Sequence, residues 1–166
     1  MDLNKKLFVG IDASFSGTSV VIIDGNCNVI KQMLITTKHQ DTQFDIEKRI
    51  LYIASELNIL LYYMNEYDLN LVCLEGLSYG STGEAILQIA ALNYFIRIFL
   101  FNNNIPYIVV SPTTLKKFVT GKGNVKKNLM LKEVYKKWGV DFNDDNLCDA
   151  YSLARFAEDS INKLIK

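Results

Sequence analysis

This chain is poor in the residues that build metal cages and cross-links, and it has no charge excess of either sign. Its only histidine, His39, and its three cysteines, Cys27, Cys73 and Cys148, lie far apart with no C-x-x-C spacing. Neither a zinc site nor a disulfide framework is expected, and the cysteine usage fits a reducing cytosol. The 18 Lys and Arg balance the 18 Asp and Glu, which removes any global electrostatic argument for a nucleic-acid partner. Met1-Asp2-Leu3-Asn4-Lys5-Lys6 lacks the apolar core of a signal peptide, so export is not indicated. Repeats and low-complexity segments are missing as well. The one long apolar run, Ala85 to Phe101, is broken by Gln88, Asn93 and Arg97. It falls short of a bilayer span and reads as a buried core helix, with no membrane partner.

What remains is a chain of 166 residues, 49% of them hydrophobic, enough for one good core and a single domain over 1–166. Leu7 to Ile11 is an apolar run that stops at Asp12, and Thr18 to Asp24 reads as its hairpin partner. After the turn Asp24-Gly25-Asn26, a third strand over 28–36 completes an antiparallel meander. Ile46, Ile50, Ile53, Leu57, Leu60 and Met64 recur at steps of three and four, which predicts one helix with one buried face. A strand over 69–74 ends at Glu75, and a Gly/Ser loop over 76–83 leads into the apolar helix. A fifth strand over 105–110 is stopped by Ser111-Pro112, and helices follow over 126–138 and 144–164. The order βββαβαβαα predicts a mixed five-stranded α/β sheet flanked by helices.

Two separate apolar strands therefore end on acids, Asp12 and Glu75. A third acid, Asp149, stands inside an otherwise apolar helix, with Asp145 four residues and Asn146 three residues before it, on a shared helical face. A buried strand that finishes on a carboxylate needs a charge partner, a divalent cation or a cationic side chain. If the first and fourth strands are neighbours, Asp12, Glu75, Asp149 and either Asp145 or Asn146 converge at one sheet edge. Such an oxygen-only set selects Mg²⁺ or Mn²⁺, and two cations held about 3.5–4 Å apart can cleave a phosphodiester. Taken singly, Asp12 reads equally well as a turn residue, Glu75 as a capping acid and Asp145 as an acid favoured at a helix N-terminus.

Charge is also unevenly spread. Eight lysines fall between Lys116 and Lys137, where Glu133 is the only acid. The loop Gly121-Lys122-Gly123-Asn124 with Lys126 and Lys127 combines flexible glycines, cations and a helix N-terminus with Asn124 as its cap, features that suit phosphate contact. A solvated lysine-rich face is the plainer alternative. Together with Ser78 and Tyr79 in the loop after Glu75, the residues Lys116, Lys117, Lys122, Lys126 and Lys127 form the expected DNA-binding set, Tyr79 being either a base-stacking or an ordinary packed tyrosine. The helix over 85–101 is apolar around most of its circumference, which points to a subunit interface at positions such as Ile96 and Phe99, or else to full burial.

Gly-Ile-Asp-Ala-Ser at 10–14, Leu-Glu-Gly at 74–76, Ser-Pro-Thr-Thr-Leu-Lys-Lys-Phe-Val-Thr-Gly-Lys-Gly at 111–123 and Asp-Asp-Asn-Leu-Cys-Asp-Ala at 144–150 resemble, in order and spacing, the RuvC family of Holliday-junction resolvases. The resemblance covers nearly the whole chain. It implies a ribonuclease H-like fold, a homodimer, and metal-dependent nicking of Holliday junctions or related branched DNA in the cytoplasm of a bacterial cell, with a phage origin open. It also implies that Asp12, Glu75, Asp149 and a residue one turn earlier hold the metals. The family's residue three before the final Asp is here Asn146, whose amide oxygen ligates a hard cation but adds no charge, so Asp145 is the alternative ligand. Two rivals stand beside this reading. An actin-like or sugar-kinase-type ATPase also opens with strand, Asp and a Gly/Ser/Thr hairpin, but it needs a second domain and phosphate loop that 166 residues do not supply, and no nucleotide cofactor is expected. A catalytically silent branched-DNA-binding protein is the other, suggested by Asn146 and opposed by Asp12, Glu75 and Asp149.

Overall fold

The computed structural model describes residues 5–78 and 83–164, with the backbone alone at position 127. Strands β1 (Lys6–Asp12), β2 (Thr18–Asp24) and β3 (Val29–Ile35) form the expected antiparallel meander. Strand β4 (Asp68–Glu75) pairs in parallel with the free side of β1, and β5 (Tyr107–Val110) pairs in parallel with β4, giving the order β3-β2-β1-β4-β5. Helices α1 (Asp45–Leu57), α2 (Ile59–Glu66) and α3 (Glu84–Asn102) cover one face of this mixed sheet. Helices α4 (Pro112–Thr120), α5 (Lys127–Trp138) and α6 (Asp145–Leu164) cover the other.

The alternation of side chains along a strand decides which face each residue meets. Leu7, Val9 and Ile11 of β1 and Val72 and Leu74 of β4 join Ile53, Leu92 and Ile96 in the core under α1 to α3. Phe8 of β1 and Leu71 and Cys73 of β4 join Leu115, Val134 and Leu153 in the core under α4 to α6. By the same alternation Asp12 and Glu75, the last residues of these strands, fall on the α6 side. Helix α6 lies against β1 at Gly10, where an added Cβ would come within 1.8 Å of the Ala150 carbonyl oxygen and 2.5 Å of the Ala154 amide nitrogen.

Four expectations need correction. The single helix predicted over 46–64 is two helices: Asn58 caps α1, and its carbonyl accepts from the amide of Leu61 at 2.9 Å in a tight turn. Leu57 and Leu60 stay buried across the break, so the apolar period runs on and hides it. Ser111-Pro112 ends β5 but also starts α4: Ser111 Oγ accepts from the Thr114 amide at 3.2 Å, Pro112 occupies the first helical position, and Leu115 and Val119 are buried one turn apart. Asn124 does not cap α5; Lys126 holds that position without a side-chain cap bond, whereas Asp144 caps α6 by accepting from the amides of Asn146 and Leu147 at 2.9 and 3.0 Å. Finally, α3 is not wholly buried. Leu92, Asn93, Ile96 and Leu100 face the core, while Leu87, Tyr94, Ile98 and Phe101 lie on the outside. By length and composition α3 is long and apolar enough to cross a membrane, contrary to the sequence expectation, but one side of it is built into the core.

Candidate active site at the ends of two parallel strands

In the parallel pairing of β1 with β4, Ile11 lies opposite Leu74. The next residue of each strand, Asp12 and Glu75, therefore leaves the sheet beside the other. Their side chains share a hydrogen bond, and burial, then the negative charges of Asp12 and Asp149, push the Glu75 carboxyl up to about 8; Lys116 relieves this only in part. Asp149 reaches them from α6, because the backbone-to-backbone approach at Gly10 sets the first turns of that helix over the end of β1.

These residues line one cleft of about 420 Å³ together with Ser14, Ser16, Ser78, Asn93, Lys116 and Asn146. Asn146 packs against the β1–β2 turn, its Nδ2 lying 3.2 Å from where a Cβ on Gly17 would stand. Asp145, on the same first turn of α6, is not among the lining residues of this cleft. Among the described residues no three His, Cys, Asp or Glu side chains close into a ready-made metal cage. The acids instead face a shared space, and the donor set is all oxygen.

The lysine-rich segment divides. Lys116 lines the acidic cleft, and with Ser78, Gly123 and Asn124 it also lines an adjoining cleft of about 400 Å³. Lys117, Lys122 and Lys126 are exposed outside both. Tyr79 and the Lys127 side chain lie outside the described residues.

Sequence reasoning missed two supporting residues. Asn93 is 2% exposed in α3, and its Nδ2 donates to the Glu75 carbonyl at 2.7 Å, pinning the end of β4. An amide interrupting an apolar run was its signal. Arg49 supports the β1–β2 turn from outside. Its Nε donates to Thr37 Oγ1 at 2.7 Å, Thr37 Oγ1 donates to the Phe15 carbonyl at 2.6 Å, and the guanidinium lies 4.6 Å from the centre of the Phe15 ring. Asp45 holds this arginine at 3.4 Å, and its carboxyl also accepts from the Gln40 amide and pairs with His39, interactions that together keep it below the usual carboxylate range.

A mixed sheet of this order, with acids at the ends of two adjacent inner strands and a helix carrying a third acid across them, defines a ribonuclease H-like α/β protein with an acidic cleft. Solved structures agree on the fold. Thermus thermophilus RuvC superposes with a TM-score of 0.70 at 15% identity, covering 89% of this chain and 90% of its own. T. thermophilus RuvC in complex with Holliday junction substrate gives 0.72 at the same identity and coverage. The yeast mitochondrial Holliday junction resolvase Ydc2 gives 0.56 at 14% identity, over 92% of this chain and 76% of its own. In sequence, the crossover junction endodeoxyribonuclease RuvC of Brachyspira hyodysenteriae is 26% identical over 149 residues, which span 88% of this chain and 89% of that relative. A family model described as crossover junction endodeoxyribonuclease RuvC matches residues 8–154. The chain belongs to the RuvC family of crossover junction endodeoxyribonucleases, which are DNA-cutting hydrolases. The actin-like ATPase and silent DNA-binding alternatives are not favoured.

Proposed function

We propose that residues 1–166 act as a single nuclease domain that nicks four-way DNA junctions, with Asp12, Glu75 and Asp149 as the carboxylates of a divalent-cation centre. The observation that carries this reading is the side-by-side exit of Asp12 and Glu75 from β1 and β4 into a cleft shared with Asp149. Burial, then the charges of Asp12 and Asp149, hold the Glu75 carboxyl up to about 8, so its ionised form at neutral pH calls for positive charge in the cleft. That requirement, and a donor set made only of oxygen, fit Mg²⁺ or Mn²⁺, two per site, with Asn146 as the neutral fourth ligand or Asp145 in its place. When bound, such cations activate a water and stabilise the charge that develops on the leaving oxygen.

The remaining roles belong to the chain. Asn93 and the β1–β2 turn hold the carboxylates at fixed positions. Lys116, at the junction of two clefts, attracts the phosphate backbone and offsets part of the acidic charge. Ser78 and Tyr79 follow Glu75 and meet the strand near the cut, and Lys117, Lys122, Lys126 and Lys127 contact phosphates further along.

Paired cuts across a junction need two active sites, and α3 supplies the means. Leu87, Ile98 and Phe101, between 55% and 73% exposed, share its outer face. A second copy of the chain covers that stripe by a twofold contact, making a homodimer. The assembly works in the cytoplasm of a bacterial or phage-infected cell, without a nucleotide cofactor.

The test is a labelled four-way junction incubated with Asp12→Asn, Glu75→Gln and Asp149→Asn proteins. Each should lose nicking yet still bind the junction, because cations rather than carboxylates hold the backbone. Wild-type nicking by any one of them removes that residue from the centre.

A further inference from the structure

One turn along α3 from Asn93, the Nε of Arg97 is buried with no hydrogen-bond partner among the described residues. A buried donor left unpaired is rare and calls for an acceptor. Arg97 lines a cleft of about 910 Å³ that wraps the open edge of β5 and shares Gly76, Leu77, Ser78 and Ile86 with the acidic cleft. Its guanidinium lies 4.6 Å from the centre of the Tyr94 ring, which fixes its plane. Ser78, Ser111 and Thr114 line the same space, and its described lining contains no acid. The cleft that carries Lys116 shares Ser78 and Ser111 with this one and is likewise acid-free among its described residues. The acidic centre thus adjoins two spaces whose described linings carry a cation and no acid, and all three meet at Ser78.

We propose that Arg97 is a phosphate-binding residue of the substrate path, which takes a backbone phosphate of the cut strand in the cleft beside the acidic centre. This rests on the nuclease reading above. A guanidinium presents a planar fork of donors to a phosphate, and the unpaired Nε is one arm of that fork. The bond from Asn93 to the Glu75 carbonyl ties α3 to the end of β4, so Arg97 stands at a set position relative to the acids.

The experiment measures junction binding over a salt series without divalent cation, for wild type, Arg97→Gln and Arg97→Lys, with light scattering on each protein. Arg97→Gln should lower the log–log salt slope by about one unit and stay dimeric, and Arg97→Lys should keep the slope while losing part of the affinity. Junctions carrying a neutral methylphosphonate next to the cleavage point should weaken wild-type binding at one position, and that penalty should vanish in Arg97→Gln or, if that protein does not fold, shrink in Arg97→Lys. An unchanged slope in a folded Arg97→Gln protein overturns the proposal, as does a wild type indifferent to every flanking methylphosphonate. Dissociation of the Arg97→Gln dimer with an unchanged slope per protomer also overturns it, assigning the arginine to an acid of a second copy. Wild type that fails to bind the junction at all refutes the nuclease reading itself, a result distinct from these.

Discussion

A Cβ at Gly10 would stand 1.8 Å from the Ala150 carbonyl oxygen, so β1 and α6 touch backbone to backbone two residues before Asp12 and one after Asp149. The spacing of the acidic centre is set by this contact. Gly10→Ala must push α6 away from the sheet, and it should destabilise the protein by about 3 kcal/mol or more and abolish nicking. Urea denaturation checks the first effect, and a wild-type midpoint would contradict the packing described.

The raised Glu75 carboxyl gives a pH dependence with a definite sign. Between the ordinary 4.5 of a glutamate and about 8 the folded protein keeps a proton that the unfolded chain has lost. Metal-free stability should therefore fall as pH rises through this window. Glu75→Gln removes the effect and should be more stable than wild type at pH 8 without cation, by roughly 2 kcal/mol, less than the full shift because the cleft stays open to water. Adding Mg²⁺ should raise the melting temperature of wild type at that pH and leave the variant nearly unmoved. Thermal denaturation across pH, with and without Mg²⁺, reads both.

Much of the centre was legible in the chain because Asp12 and Glu75 each stop an apolar run; Val20 to Ile23 also stops on an acid, but Asp24 is taken up by the amides of Asn26 and Asn28 in the following turn. The pairing of Ile11 with Leu74 then brings those ends together, a relationship that lies in topology and in no local pattern. Helix α4 was hidden because Ser-Pro reads both as the end of a strand and as the start of a helix, and only the burial of Leu115 and Val119 decides between them. Asn93 and Arg97 looked like interruptions of an apolar run. Their roles depend on which face of α3 meets the sheet, and an almost uniformly apolar helix does not disclose that.

That face also corrects the choice of interface position. Ile96 is 1% exposed and belongs to the core, and Phe99 packs against the same core, whereas Ile98 is 55% exposed. Ile98→Glu should yield a folded monomer in place of a dimer of about twice the 18.9 kDa chain mass. Ile96→Glu should unfold the chain, because an unpaired buried carboxylate is strongly disfavoured. Light scattering with circular dichroism separates the two, and a folded dimer of the Ile98→Glu protein would place the interface elsewhere.

The fourth position of the centre can be settled by comparing Asn146→Ala with Asp145→Asn. Asn146 lines the acidic cleft and Asp145 does not, so Asn146→Ala should lose more activity and need a higher Mg²⁺ concentration for half-maximal nicking. The opposite ranking would give the role to Asp145.

The most direct test of the whole account is incubation of the wild-type protein with end-labelled four-way junction and with linear duplex of the same sequence, with and without Mg²⁺ or Mn²⁺. The account predicts paired, symmetrically placed nicks in the junction, only when a divalent cation is present, with the duplex left intact. Cutting of both substrates alike, or junction cleavage that persists in a chelator, would contradict it.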